Sequence, residues 1–291
     1  MRRLTLPSWQ EWRSELADVV RGLAGGFLFG IPLIYTMEVW WIGSYADAGG
    51  LLGVLASTYV IVFLLNRTDG FRQQYPDQIR QALTDSVEAL AIGIVCVTWV
   101  LILLQEITWD TSVNEAVGKI VFESVPFAIG VGLARSILQG NRGGNDEEND
   151  SGQPPRSQGS NSTLTDIGAT LIGSIFIGFS IAPTDEVPML AAAISPPWLL
   201  VVIGMSLLVS YCIVFAAGFT TQKRRLQERG LFQRPFTETI VSYLLSLSTA
   251  AIMLYFFHRL DFSDPWNSWL EQTLLLGLPA TIGGAAGRIA I

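Results

Sequence analysis

The sequence predicts an all-α, polytopic membrane protein whose eight transmembrane helices form two parallel four-helix repeats. Three observations carry this. Of the 291 residues 50% are hydrophobic and 15% charged, with a mean hydropathy of +0.41, so soluble packing cannot cover the apolar surface and a bilayer must. Eight apolar stretches reach the roughly 20 residues that a spanning helix needs. Blocks of the first half return in the same order in the second, the mark of a duplicated unit.

Residues 1–21 open the chain as a cytoplasmic amphipathic segment. Trp9, Trp12, Leu16, Val19 and Leu23 recur at helical spacing, and Ser8 with Glu11 makes a capping box, the pattern of a helix lying on the inner leaflet. Because this polar stretch precedes the first span, no cleaved signal peptide is expected. The first repeat, residues 22–139, holds spans at about 22–43, 49–66, 86–106 and 117–138. Residues 140–163, rich in Gly, Asn, Ser and acids, bury nothing and are expected to form a disordered cytoplasmic linker. The second repeat, residues 164–291, holds spans at about 164–184, 196–218, 238–258 and 270–290.

The duplication is visible residue by residue. Asp18, Gly25, Gly30, Thr36, Glu38 and Val39 return at the same spacings as Asp166, Gly173, Gly178, Thr184, Glu186 and Val187. The Tyr59 to Phe63 block returns at Tyr211 to Phe215, and Thr84 to Val87 at Thr237 to Ile240. Pro126, Ile129, Gly130 and Arg135 return as Pro279, Ile282, Gly283 and Arg288. All but Lys119 and Arg259 of the 18 basic residues fall on one side of the spans, which the positive-inside bias makes cytoplasmic, together with both termini. Four spans in each half then require the repeats to run in the same direction. The other side collects Trp40, Trp41, Trp109, Trp198, Trp266 and Trp269 as interfacial anchors, beside acids that include Glu38, Glu106, Glu115, Asp185 and Glu186.

Glu38 and Glu186, with Thr36 and Thr184 beside them, are the candidate ion or proton site. At about 1.5 Å per residue, Glu38 lies near the outer edge of the hydrocarbon, and the competing reading is a pair of solvated helix ends. Glu123 lies deeper and lacks a repeat partner, since Leu276 takes its place. A local ion pair with Lys119, one turn earlier, competes there with a part in proton or ion passage. Pro126 and Pro279 each free a backbone carbonyl in a medium without water, so they mark a kink or a point on a pathway. Gly22, Gly26 and Gly30, Ser174 and Gly178, and Gly283 and Gly287 form small-residue faces, read as the tight seam between the repeats. Cys96 and Cys212 do not occupy equivalent positions and read as small buried hydrophobes rather than a disulfide or metal pair. No metal site is expected. A single histidine, His258, and the lack of zinc-protease, nucleotide-loop and nucleophile-elbow motifs argue against an enzyme and against a cofactor.

The stretch from Arg21 to Trp41, with Gly22, Gly25, Gly26, Gly30, Pro32, Thr36, Glu38 and Trp40, resembles the opening of a prokaryotic family of integral membrane proteins of unknown function. The similarity continues through the predicted spans. It implies the membrane architecture and assigns no catalytic or binding residue. The reading that follows is a small-ion or proton-coupled transporter or channel of the prokaryotic plasma membrane, its path between the repeats and acids at its outer mouth. The alternative is a non-transporting membrane scaffold or assembly factor, docking through the N-terminal segment and the linker. Expected partners are the lipid bilayer and a small cation or proton. Nucleic acid is not expected, and a homo-oligomer is left open.

Overall fold

The computed structural model describes residues 9–69, 78–138, 160–216 and 235–290. Among them the first half contains α1 (Trp9–Ile34), α2 (Met37–Ser44), α3 (Ala48–Asp69), α4 (Gln78–Leu103) and α5 (Val113–Leu138). The second contains α6 (Ser160–Ile181), α7 (Glu186–Ala193), α8 (Pro196–Tyr211, continued by a π-helical turn at Cys212–Ala216), α9 (Pro235–Phe256) and α10 (Trp266–Ala290).

Seven of these helices are long and apolar enough to cross a membrane: α1, α3, α4, α5, α6, α8 and α9. The eighth expected span falls in α10, which has 25 residues but is not among the seven. Every position from Leu274 to Ala285 is buried, so this helix meets protein instead of lipid and can carry Gly277, Thr281, Gly283 and Gly284 in place of apolar side chains. The same division appears in the first half, where 56% of the α5 span is buried against 11% of the α3 span. Helix α5 is the hub for α1, α2, α3 and α4, and α10 is the hub for α6, α7, α8 and α9.

Close backbone approach makes these hubs. A Cβ added at Gly25 would fall on the Gly130 carbonyl and 2.7 Å from the Ala134 Cβ. One added at Gly173 would fall on the Gly283 carbonyl, and one at Gly287 on the Ala169 carbonyl. Gly30 faces the Phe127 ring, and Gly93 would put a Cβ 2.7 Å from the Ala128 nitrogen. The small-residue faces therefore lie inside each half, between α1 and α5 and between α6 and α10, and not at the seam between the halves. Without a hydrophobic drive in lipid, helix association depends on such contacts, and the hub helix needs them most.

Two further differences from the sequence reading have local causes, and a third segment lies outside the described residues. The amphipathic segment expected over 1–21 is not a separate element: from Trp9 onward it is the first part of α1, with Trp12 and Leu16 exposed. No proline or glycine lies between Trp9 and Arg21 to break it, and Ser8 lies outside the described residues. The linker expected at 140–163 also lies outside them up to Ser160, where α6 begins. Finally, the first span does not run on through Glu38. The chain turns at Tyr35 and Thr36, with the Thr36 N–H on Leu33 O at 3.0 Å and the Trp40 Nε1 donating to Ile34 O at 3.2 Å. Pro32 has already removed a backbone donor from this end of α1. Helix α6 likewise stops at Ile181, ahead of Pro183, before the short α7.

Helices α4 and α9 end in the same way. Gln105 (φ 61°) and His258 (φ 58°) are left-handed. The N–H groups of Glu106 and Ile107 then return to Leu101 O at 2.9 and 3.2 Å, and those of Arg259 and Leu260 to Leu254 O at 2.9 and 3.3 Å, satisfying carbonyls that a helix end leaves open. Among the described residues the halves meet through apolar surface and through two side-chain hydrogen bonds. Tyr35 Oη donates to Leu275 O at 2.7 Å and Trp198 Nε1 to Leu103 O at 2.8 Å. A groove of about 280 Å³ between Phe27, Cys96 and Trp99 on one side and Met205, Val209 and Cys212 on the other completes the contact.

Candidate functional site

Helix α5 carries a ladder at four-residue spacing: Glu115, Lys119, Glu123 and Phe127. Residues so spaced share one helix face. Lys119 is 6% exposed. Its Nζ donates to Glu106 O at 2.9 Å, lies 3.3 Å from Glu106 Oε2 and 3.0 Å from Glu115 Oε1, and sits over the Trp40 ring, 5.4 Å from its centre. Glu106 stands in the connection between α4 and α5, just past the left-handed Gln105. Burial pushes its carboxyl above the usual carboxylate range, while the Lys119 ammonium draws it back down.

Lys119 therefore does not form the pair with Glu123 that the spacing suggests. The tight α4–α5 connection brings Glu106 to it, and Glu115 supplies a second carboxylate from the preceding turn. Glu123 is left 0% exposed, and neither of its carboxyl oxygens has a hydrogen-bond partner among the described residues. A lone carboxyl in such surroundings either holds a proton or must recruit a cation. Above Lys119 a groove of about 400 Å³ opens toward the tryptophan-bearing face, lined by Trp40, Trp41, Tyr45, Asn114 and Glu115, with Lys119 as its innermost charge.

The two prolines have unequal surroundings. Pro279 has no N–H to give the carbonyl four residues earlier, Leu275 O, and that carbonyl is the one that accepts from Tyr35 Oη. A side chain of the first half thus satisfies the kink in the hub of the second. Pro126 leaves Phe122 O in the same position, and no side-chain donor reaches it among the described residues. The residue 148 positions after Tyr35 is Pro183, which has no hydroxyl to donate.

The other candidates sit on the short helices of the tryptophan-bearing face. Glu38 is exposed in the first turn of α2, where a carboxylate complements the helix N-terminus. Thr36 precedes it and makes no side-chain cap. Glu186, 9% exposed, occupies the first turn of α7, and Thr184 Oγ1 donates back to Ile181 O at 2.7 Å. Helix α2 packs on α5 and α7 on α10, so each carboxylate is presented by its own half. Beside Glu186, Asp185 accepts from Arg259 at 2.6 Å, and Arg259 also donates to Pro183 O. Among the described residues no group of three or more His, Cys, Asp or Glu side chains is placed to hold a metal ion.

The profile of one protein family, described as "Putative integral membrane protein (DUF2391)", matches residues 18–291. The chain belongs to this family. DUF2391 membership makes it an integral membrane protein and brings no known activity. No curated protein and no solved structure matches it.

Two site features of this DUF2391 chain were not read from its sequence. Tyr35 carried no signal until Leu275 O was seen as the carbonyl that Pro279 frees, four residues back along α10. The choice of Lys119 for Glu106 over Glu123 was signalled only by the short connection between α4 and α5, which returns Glu106 to the level of Lys119.

Proposed function

We propose that the protein is a proton-coupled transporter or channel for a small ion, with Glu123 as its proton-carrying group. One observation carries this reading: a wholly buried carboxyl without a hydrogen-bond partner among the described residues, in a helix able to cross a membrane and one turn from a charged groove. Ionisable groups at such depth are functional candidates by default. In this reading the path runs through the first half, since the contact between halves is apolar, and Glu38 with Thr36 is an acid at its mouth, while Glu186 with Thr184 is the corresponding acid on the second half. Proton flux into liposomes is the test. Glu123→Gln is expected to lower the flux at least about tenfold, equivalent to about 1.4 kcal/mol in barrier, and wild-type flux in that variant would remove Glu123 from the mechanism.

The same proposal includes eight spans as two parallel repeats, with α10 as the eighth. Matched contacts support it: Gly25 on Gly130 and Gly173 on Gly283, and the left-handed caps at Gln105 and His258. It also places both termini in the cytoplasm of a prokaryotic cell. A cysteine introduced at Ser151 should then be protected from impermeant reagent in intact cells, and labelling from outside would overturn the orientation. A second reading, a non-transporting scaffold or assembly factor, is favoured by the close glycine packing within both halves. Absence of flux from the wild-type protein across a broad ion panel would select it.

A further inference from the structure

We infer that Lys119 is the counter-ion that Glu123 takes up when it loses its proton, exchanging Glu106 and Glu115 for the buried carboxylate. The inference rests on the proton-carrying reading of Glu123 and adds the group that makes its charged form tolerable. Ionising a carboxyl with no exposed surface and no partner is prohibitive unless a cation arrives. Two basic residues stand toward the tryptophan-bearing face, and Arg259 is held by Asp185 and Pro183 in the other half. Lys119 is the one within reach, four residues away on the same helix face. Helical side chains lean toward the helix N-terminus, so Glu123 leans toward the level of Lys119. The lysine's flexible four-carbon stem allows its ammonium to turn inward.

Among the described residues, the other charged groups on the elements packed on α5 stand at the far ends of those helices or on exposed surface. Helix α1 brings Tyr35, whose hydroxyl is on Leu275 O, and at its far end the Asp18–Arg21 pair. Helix α2 brings Glu38, exposed. Helix α3 brings Tyr59, with Arg67 at its far end, and α4 brings Cys96, with Asp85 and Glu88 toward its start. The exchange balances. The Glu123 O–H bond breaks and its proton passes to water in the groove, Lys119 stays an ammonium, and the inner pair is neutral. Glu106 and Glu115 are then left facing the groove without their cation.

Thermal melting from about pH 5 to about pH 9 of the wild type, K119M, E123Q and the K119M/E123Q double variant tests this. Without Lys119 the carboxylate form of Glu123 has no counter-ion in the folded protein, while the unfolded chain ionises freely, so folded stability falls as pH rises. The Tm deficit of K119M against wild type is expected to be at least about twice as large at the alkaline end as at the acidic end, and K119M/E123Q against E123Q should show no such widening. A deficit that is flat with pH, or equal on both backgrounds, would reduce Lys119 to a local partner of Glu106 and Glu115 and overturn the inference. Loss of flux in E123Q alongside a flat deficit would keep the proton-carrying reading and remove the exchange, whereas a widening deficit with no flux from wild type would keep the exchange and remove transport. Should K119M not fold, the E106Q/E115Q double variant frees Lys119 from its present partners. Its carboxylic-acid infrared band, assigned by loss in E123Q, should then disappear at about tenfold higher proton concentration than in wild type, and an unmoved band would overturn the exchange.

Discussion

Gly25→Leu and Gly173→Leu are each expected to destabilise the protein by about 3 kcal/mol or more, the upper range for overpacking a tight contact. Gly53→Ala and Gly204→Ala should change stability by less than about 1 kcal/mol and in the favourable direction, because alanine is the better helix former. The contrast comes from what each new side chain meets. At Gly25 and Gly173 the first added carbon already falls on a backbone carbonyl of the hub helix, Gly130 O or Gly283 O. A backbone atom cannot rotate away as a side chain can. The two helices must separate, and with them the dispersion contacts that hold helices together in lipid. At Gly53 and Gly204 an added carbon has nothing within 4 Å. Thermal melting in one detergent compares the four variants directly, and equal Tm values for the two classes would show that the α1–α5 and α6–α10 contacts do not limit stability.

How much of this was legible in the sequence depended on the range of the interaction. Apolar runs report contact with lipid, so helices such as α3 and α9 were placed within a turn at each end. Helix α10 reads as a span at about 270–290 like the others, yet it is buried among protein along Leu274 to Ala285, and an apolar run does not tell burial in protein from contact with lipid. Local chemistry was misread where two neighbours competed. Lys119 and Glu123 have the spacing of an ion pair, but spacing is blind to Glu106, which a turn after α4 returns to Lys119. The break at Tyr35 and Thr36 was hidden because the apolar run continues across it into Trp40 and Trp41. The glycines announced close helix contact but were assigned to the seam between the repeats instead of to contacts within each half, since a small-residue face records proximity and carries no address.

The bond between Tyr35 and Leu275 allows a prediction in which a second substitution repairs the first. Tyr35→Phe removes the hydroxyl that satisfies Leu275 O at 2.7 Å and leaves a buried carbonyl without that donor, a loss of about 1–3 kcal/mol. The carbonyl needs an outside donor because Pro279, four residues on, has no N–H to give. Adding Pro279→Ala to Tyr35→Phe supplies that N–H, and α10 can close the missing backbone bond within itself. The double variant should therefore melt above Tyr35→Phe alone, with the two substitutions coupled by about 1 kcal/mol or more, as expected for groups that share one acceptor. Pro279→Ala by itself should be close to neutral, since Leu275 O has a second lone pair and Tyr35 still reaches it. A double variant no more stable than Tyr35→Phe would mean that the carbonyl is satisfied by other means, and that Tyr35 joins the two halves through the packing of its ring alone.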